Sequence, residues 1–366
     1  MLKIKVITYL WMLLGLSLSC NQVESQSKTE SPAIEPVKIA PKFSLKNNRD
    51  TLKFTSGIRS ILQDSRGDYW IGSHNEGICR FNGETFEYFD TDDGLSHNQV
   101  RTIQEDGGGI IWFGTAEGVS NFDGVKINNF TLKEYDLKIE KDWALTTTDL
   151  WFAAGNSREV IRVDQQQIAY LDFPIASEDE AANPFYATGF SKGKKGSIWI
   201  AYYAGVIGYD GHEFTLINDA LLGFMFPSQS LHVRSILEDS QGRLWIGNNG
   251  IGAMLREEGK TINFSRKMGL LHKKVLPDGN RTPSPPGTME HVFAISEDSK
   301  GNIWFGDRDT GAWKYDGNEM TNYTVDSSLK SQMIWHIYED QSGDLLFAMQ
   351  DRGIYRFNGG AFDRVL

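Results

Sequence analysis

Three arginines and two large aromatics occupy one position of a phrase that recurs along this chain: Arg59, Arg101 and Arg234, then Phe293 and Trp335. A guanidinium is a permanently charged planar fork that fits a carboxylate, and an aromatic face takes a cation or the face of a sugar. Brought to one mouth, with His336 beside Trp335, these groups would bind an anionic or sugar ligand. A plainer reading is equally open, in which the arginines pair with loop carboxylates such as Glu76 and Glu117 and only tie neighbouring segments together.

A second set of polar groups sits in short loops that read "SHNEG", "TAEG", "AGNSREV", "AYYAG", "NNGIG", "DRDTG" and "MQDRG". They contribute His74, Glu76, Glu117, Arg158, Tyr202, Tyr203, Asn248, Asn249, Asp307, Arg308, Asp309, Asp351 and Arg352. Loops held on a rigid scaffold are where variable chemistry concentrates. Catalysis is harder to build from them. The seven histidines are scattered without metal-ligand spacing, and neither Gly-x-Ser-x-Gly nor His-Glu-x-x-His occurs. Asp307 and Asp309 flank Arg308 and would form an acid pair with Glu117 or Asp351 only at a separation that sequence does not define. No catalytic residue, metal or cofactor is assigned on this basis. Cys79, in "GICRFNG", reads as a small core residue rather than a nucleophile.

The elements that position these residues follow from self-similarity. Aligning the phrase "EDSQGRLWIGNNGIG" (238–252) with its counterparts places Trp70, Trp112, Trp151, Trp199, Trp245, Trp304 and Leu346 on one position, at spacings of 42, 39, 48, 46, 59 and 42 residues. Within a unit, a β-branched run ("IRSILQD") is followed by a glycine turn and a short strand around the tryptophan ("YWIGS"). A third strand ("ICRF"), an Asn-Gly or Asp-Gly turn and a fourth strand ("TFEYF") complete it. Seven such units predict an all-β fold, one seven-bladed β-propeller of four-stranded antiparallel blades spanning residues 43–366. The tryptophans are then wedges between blades, and the Asp-x-x-Gly phrases are turns rather than calcium loops. The third unit lacks the glycine turn and the fourth lacks the aspartate, so these blades should be the least regular. "TLKFT" before the first unit and "AFDRVL" at the end compete for the ring-closing strand. The stretch 265–290 reads as a long irregular loop on the ligand-facing side.

Ahead of the propeller, Lys3 and Lys5 precede an apolar run from Val6 to Leu18 and then Cys20, the pattern of an export signal over 1–19 with cleavage before a lipidated cysteine. Residues 20–42 are Ser-, Glu-, Lys- and Pro-rich, as in a tether. The chain is thus expected to be exported and membrane-anchored through lipid, on the periplasmic or outer-membrane face. A net charge of −11 offers no footprint for nucleic acid.

The stretch "DGLSHNQVRTIQEDGGGIIWFGTAEGVSNFDG" closely resembles the two-component regulator propeller repeat, as do the other units from about residue 55 onward. That resemblance implies a sensor-like, non-enzymatic propeller that binds a glycan fragment or a cell-envelope protein at its channel mouth. A more distant likeness to streptogramin-lyase propellers implies an alternative, a lyase or hydrolase assisted by a divalent metal, with His291 or His336 as the histidine.

Overall fold

The computed structural model describes residues 52–131, 139–140, 143–157, 159–165, 167–172, 186–224, 230–272, 283–351 and 353–366. Its strands form seven four-stranded sheets in a closed ring, a seven-bladed β-propeller. In six blades the chain runs outward through four consecutive antiparallel strands. Their innermost strands are Ile58–Gln63, Val100–Glu105, Ala187–Lys192, Val233–Glu238, Val292–Glu297 and Ile334–Glu339.

The repeated phrase explains how each blade is locked. In blade 5, one carboxylate oxygen of Asp239 accepts the backbone N–H groups of Gln241 and Arg243, which closes the turn. The other accepts the indole N–H of Trp245 at 2.8 Å. Asp64, Asp106 and Asp298 hold Trp70, Trp112 and Trp304 in the same way. Where the pattern breaks, neighbours substitute. Blade 7 has Leu346, and Asp340 instead accepts the hydroxyl of Tyr69 from blade 1 at 2.6 Å. Blade 4 has no aspartate, and Trp199 donates to Glu238 of blade 5.

The glutamate before that aspartate joins adjacent blades. Glu105, Glu297 and Glu339 each accept both the N–H and the hydroxyl of a turn serine in the preceding blade, Ser65, Ser240 and Ser299 respectively. The glycine two residues after the tryptophan permits close approach. A Cβ on Gly306 would lie 2.7 Å from Cβ of Ile334 in the next inner strand.

Blade 3 departs from this plan. Its innermost strand is Leu150–Ala153, the one that carries Trp151; the sheet continues through Val160–Asp164 and Gln167–Leu171 and ends on Ile139–Glu140, which runs parallel to its neighbour. Among the described residues, no strand takes the channel-lining place that it has in the other blades, so the wall is set back. No aspartate stands six residues before Trp151, and its buried indole N–H has no hydrogen-bond partner. The serine position of the preceding turn is Gly107, and among the described residues blade 3 has no inner-strand glutamate to meet it.

Ring closure is made by the C-terminal strand Phe362–Arg364, which completes blade 7 behind Ile354–Phe357. The described part of "TLKFT", residues 52–55, forms no strand. It caps the joint instead: Phe54 is buried in the cluster that holds Ile58, Ile354 and Val365. Cys79 lies in the same core, and burial pushes its thiol up to about 12, so it stays protonated.

Candidate functional site

The position shared by the three arginines is a β-bulge. In all six blades with a full inner strand the register slips at this residue, leaving Arg59, Arg101, Thr188, Arg234, Phe293 and Trp335 opposite no partner. A bulge frees one residue from the alternation of the sheet and re-aims its side chain. The ring turns these side chains into the channel, where they line a cavity of about 290 Å³. A second cavity of about 440 Å³ shares this wall and adds Gln104, Asp149, Trp151, Lys192 and His336.

Aromatic faces hold the guanidiniums in place. Arg59 lies 4.1 Å from the Trp335 ring centroid, and its Nη1 is 3.3 Å from Nδ1 of His74, whose ring stacks on Trp335. Arg234 lies between Tyr203 and Phe293, at 4.6 and 5.1 Å from their centroids, and its buried Nε has no hydrogen-bond partner. Arg101 reaches toward blade 3, donating to the carbonyl of Gly155 and to Oδ1 of Asn156. Among the described residues, no carboxylate forms an ion pair with any of the three. Burial first, then the charges of Arg101 and Arg234, lower the pKa of Arg59 to about 10, which leaves it charged at neutral pH. Three cations thus converge: Arg59 and Arg234 rest on aromatic faces, while Arg101 is held by hydrogen bonds to Gln99, Gly155 and Asn156 and keeps only its remaining N–H groups for an anion.

Most of the predicted loop residues are part of the scaffold. Glu76 does not pair with an arginine; it accepts the N–H and hydroxyl groups of both Thr55 and Ser56 and so holds the N-terminal cap. Glu117 makes no ion pair with Arg101 either; its backbone N–H donates to Thr115. Tyr202 is a core residue. Asn248 is fully buried and braces its own loop, and Asn249 is 2.7 Å from Nδ1 of His291, a link between blades 5 and 6. Asp307 is fully buried and accepts three backbone N–H groups, from His291, Asp309 and Thr310; burial nonetheless raises its pKa to about 6. Asp309 would be raised by burial, but the Arg308 guanidinium, 3.0 Å away, holds its carboxyl below the usual range. An acid pair of Asp307 or Asp309 across the channel is therefore not formed, because Asp307 is committed to the N–H groups of His291, Asp309 and Thr310, and Asp309 to Arg308 and the N–H of Ser284. Asp351 accepts the N–H groups of Lys330 and Ser331. None of these residues lines the channel cavities. Arg158, Arg352 and Cys20 lie outside the described residues.

His336 lines the second cavity, and its Nδ1 accepts the N–H of Ile61 at 3.1 Å. His74 and Tyr203 form a supporting tier behind Arg59 and Arg234. Sequence reasoning missed Thr188, which the repeat register could have supplied, and Tyr186, Ala153 and Gln104, which it could not. Those three reach the channel because blade 3 is recessed. The described ends of the 265–290 stretch pack against the body rather than over the mouth: Phe264–Lys267 is a helical turn, and Phe264 and Met289 are buried. Among the described residues, no group of three or more His, Cys, Asp or Glu is arranged to hold a metal ion.

Comparison with known proteins agrees with the geometry. The two component regulator propeller model matches residues 53–75, 94–117, 227–250 and 288–309. No curated protein sequence matches. Among solved structures, the extracellular domain of a hybrid two component system from B. thetaiotaomicron is 21% identical with a TM-score of 0.60, over 84% of this chain and 40% of that one. This chain thus spans about two fifths of that relative. Virginiamycin B lyase from Staphylococcus aureus is 17% identical with a TM-score of 0.59, over 84% and 97%. PorZ, a surface component of the type-IX secretion system of Porphyromonas gingivalis, is 15% identical with a TM-score of 0.55, over 84% and 48%. At these identities the likeness is one of fold. The chain is accordingly a seven-bladed β-propeller, four stretches of which match the two component regulator propeller model.

Proposed function

We propose that this protein is an exported, lipid-anchored, sensor-like binding module without catalytic chemistry, whose channel mouth receives the anionic group of a glycan fragment or of a cell-envelope protein. The observation that carries this reading is the convergence of Arg59, Arg101 and Arg234 on one cavity with no carboxylate partner among the described residues. Half-buried cations without counter-charges are costly in an empty site, and that cost is offset when an anion arrives. The extracellular setting of the two component system relative supports export, as does the signal-like start of the chain. The lyase alternative draws on fold likeness alone.

Calorimetry with a trigalacturonate and a neutral cellotriose tests the site. The acidic sugar should bind more tightly, and Arg59→Ala together with Arg234→Ala should weaken it by roughly a hundredfold, at about 1.5 kcal/mol for each charged hydrogen-bonding group. Affinity unchanged in the double variant would place the site elsewhere. For the anchor, Cys20→Ala should release the protein from membranes; unaltered partition would overturn lipidation.

A further inference from the structure

Blade 3 exposes an open sheet edge to the same cavity that holds the arginines. Among the described residues, strand Leu150–Ala153 pairs only with Val160–Asp164, and no inner strand covers its other side. Two observations fix which residues face the channel. The N–H of Ala154 points toward blade 3's own sheet, to the carbonyl of Glu159, whereas the carbonyl of Trp151 points the other way and accepts from Nε2 of Gln104 in blade 2 at 2.9 Å. Backbone polar groups alternate sides along a strand, so Trp151 and Ala153 present theirs to the channel. Gln104 occupies the Trp151 carbonyl, and Arg101 occupies the carbonyl of Gly155 just beyond. Among the described residues, the N–H of Trp151 and both groups of Ala153 have no strand to pair with. Ala153 lines the cavity that Arg59, Arg101 and Arg234 also line, so the open edge ends at the cationic cluster.

We infer that this edge and the arginine cluster together take the free carboxyl end of an extended peptide, which lies along Trp151–Ala153 as the missing inner strand and places its terminal carboxylate among Arg59, Arg101 and Arg234. Strand edges recruit extended backbone, and a terminal carboxylate is the natural stop for such a strand at a cationic pocket. Charge complementarity selects the carboxyl end over the amino end. A sugar acid satisfies the arginines but offers no ladder of N–H and C=O groups at strand spacing, so the unpaired backbone favours a peptide. The inference rests on the channel-mouth reading above and narrows it to a protein partner.

The test uses the purified full chain and two pools of random N-acetylated hexapeptides, one with free carboxyl ends and one amidated, with trigalacturonate as a third probe. The free-acid pool should be retained at least about tenfold better than the amides. N-methylation of the amide two residues before the terminus, which removes one ladder hydrogen bond and leaves the charge, should weaken the best retained peptide by roughly fivefold to tenfold. Arg234→Gln should cut peptide retention while its unfolding midpoint reports that the ring remains intact. Retention of trigalacturonate without retention of either peptide pool overturns the peptide inference and leaves the anionic site standing. Equal retention of acids and amides, or insensitivity to N-methylation, also overturns it. Binding of no probe overturns both readings.

Discussion

At the scale of single residues, the turn aspartate does more than its place in an Asx turn indicates. Asp239 is buried, closes its turn, accepts the Trp245 indole and pairs with Nε of Arg243 at 2.6 Å. Asp239→Ala would strand a buried indole N–H and half-bury an unpaired guanidinium, and should cost about 3 kcal/mol, read as a lowered urea midpoint with unchanged m-value. His336 gives a pH signature. Burial depresses its pKa to about 4 from an ordinary value near 6.5. The unfolded chain therefore binds this proton first, so the stability His336 contributes is whole above pH 6.5 and is lost as pH falls toward 4. His336→Gln should flatten the dependence of melting temperature on pH across that window; an unaltered slope would mean that His336 is solvated.

At the scale of elements, the blades are joined by two devices that the repeat encodes. The first is steric. Gly306 sits where a Cβ would meet Ile334, so Gly306→Val should separate blades 6 and 7 and cost about 3 kcal/mol in chemical denaturation. The second is the glutamate latch. Glu297→Ala removes two hydrogen bonds from the Ser240 turn at an exposed joint, and a loss of about 1 kcal/mol is expected, well below that of the glycine substitution. An equal or larger loss would show that the latch, rather than packing, governs the joint. The bulge belongs to this scale too. A regular inner strand would point residues such as Arg59 and Trp335 by simple alternation, and the slipped register is what aims all six into the channel.

At the scale of the whole molecule, closure rests on the C-terminal strand with Phe54 as a cap. Phe54→Ala should cost about 3 kcal/mol without loss of the ring, measured as a lower midpoint with near-native circular dichroism. Deleting 362–366 removes a paired strand and buried Val365 together and should be more damaging. The recess in blade 3 also acts at this scale, since it widens the channel on one side and gives a seven-fold scaffold a single distinct wall.

Blade number, strand order within a blade, the wedge tryptophans and the five channel residues Arg59, Arg101, Arg234, Phe293 and Trp335 were legible from the chain itself, because a repeat states the same local rule many times and turn chemistry is local. The loop residues divide: His74 and Tyr203 back the arginines, while others brace the scaffold. Asn248, Asp307 and Glu76 vary between units, yet that variation reflects how each loop satisfies its own backbone. Only the tertiary structure decided that these side chains turn inward, that the arginines lack carboxylate partners among the described residues, and that blade 3 leaves an edge open. Burial, long-range pairing and the absence of a strand arise from blades that meet in space, at separations of tens to hundreds of residues, and no local pattern records them.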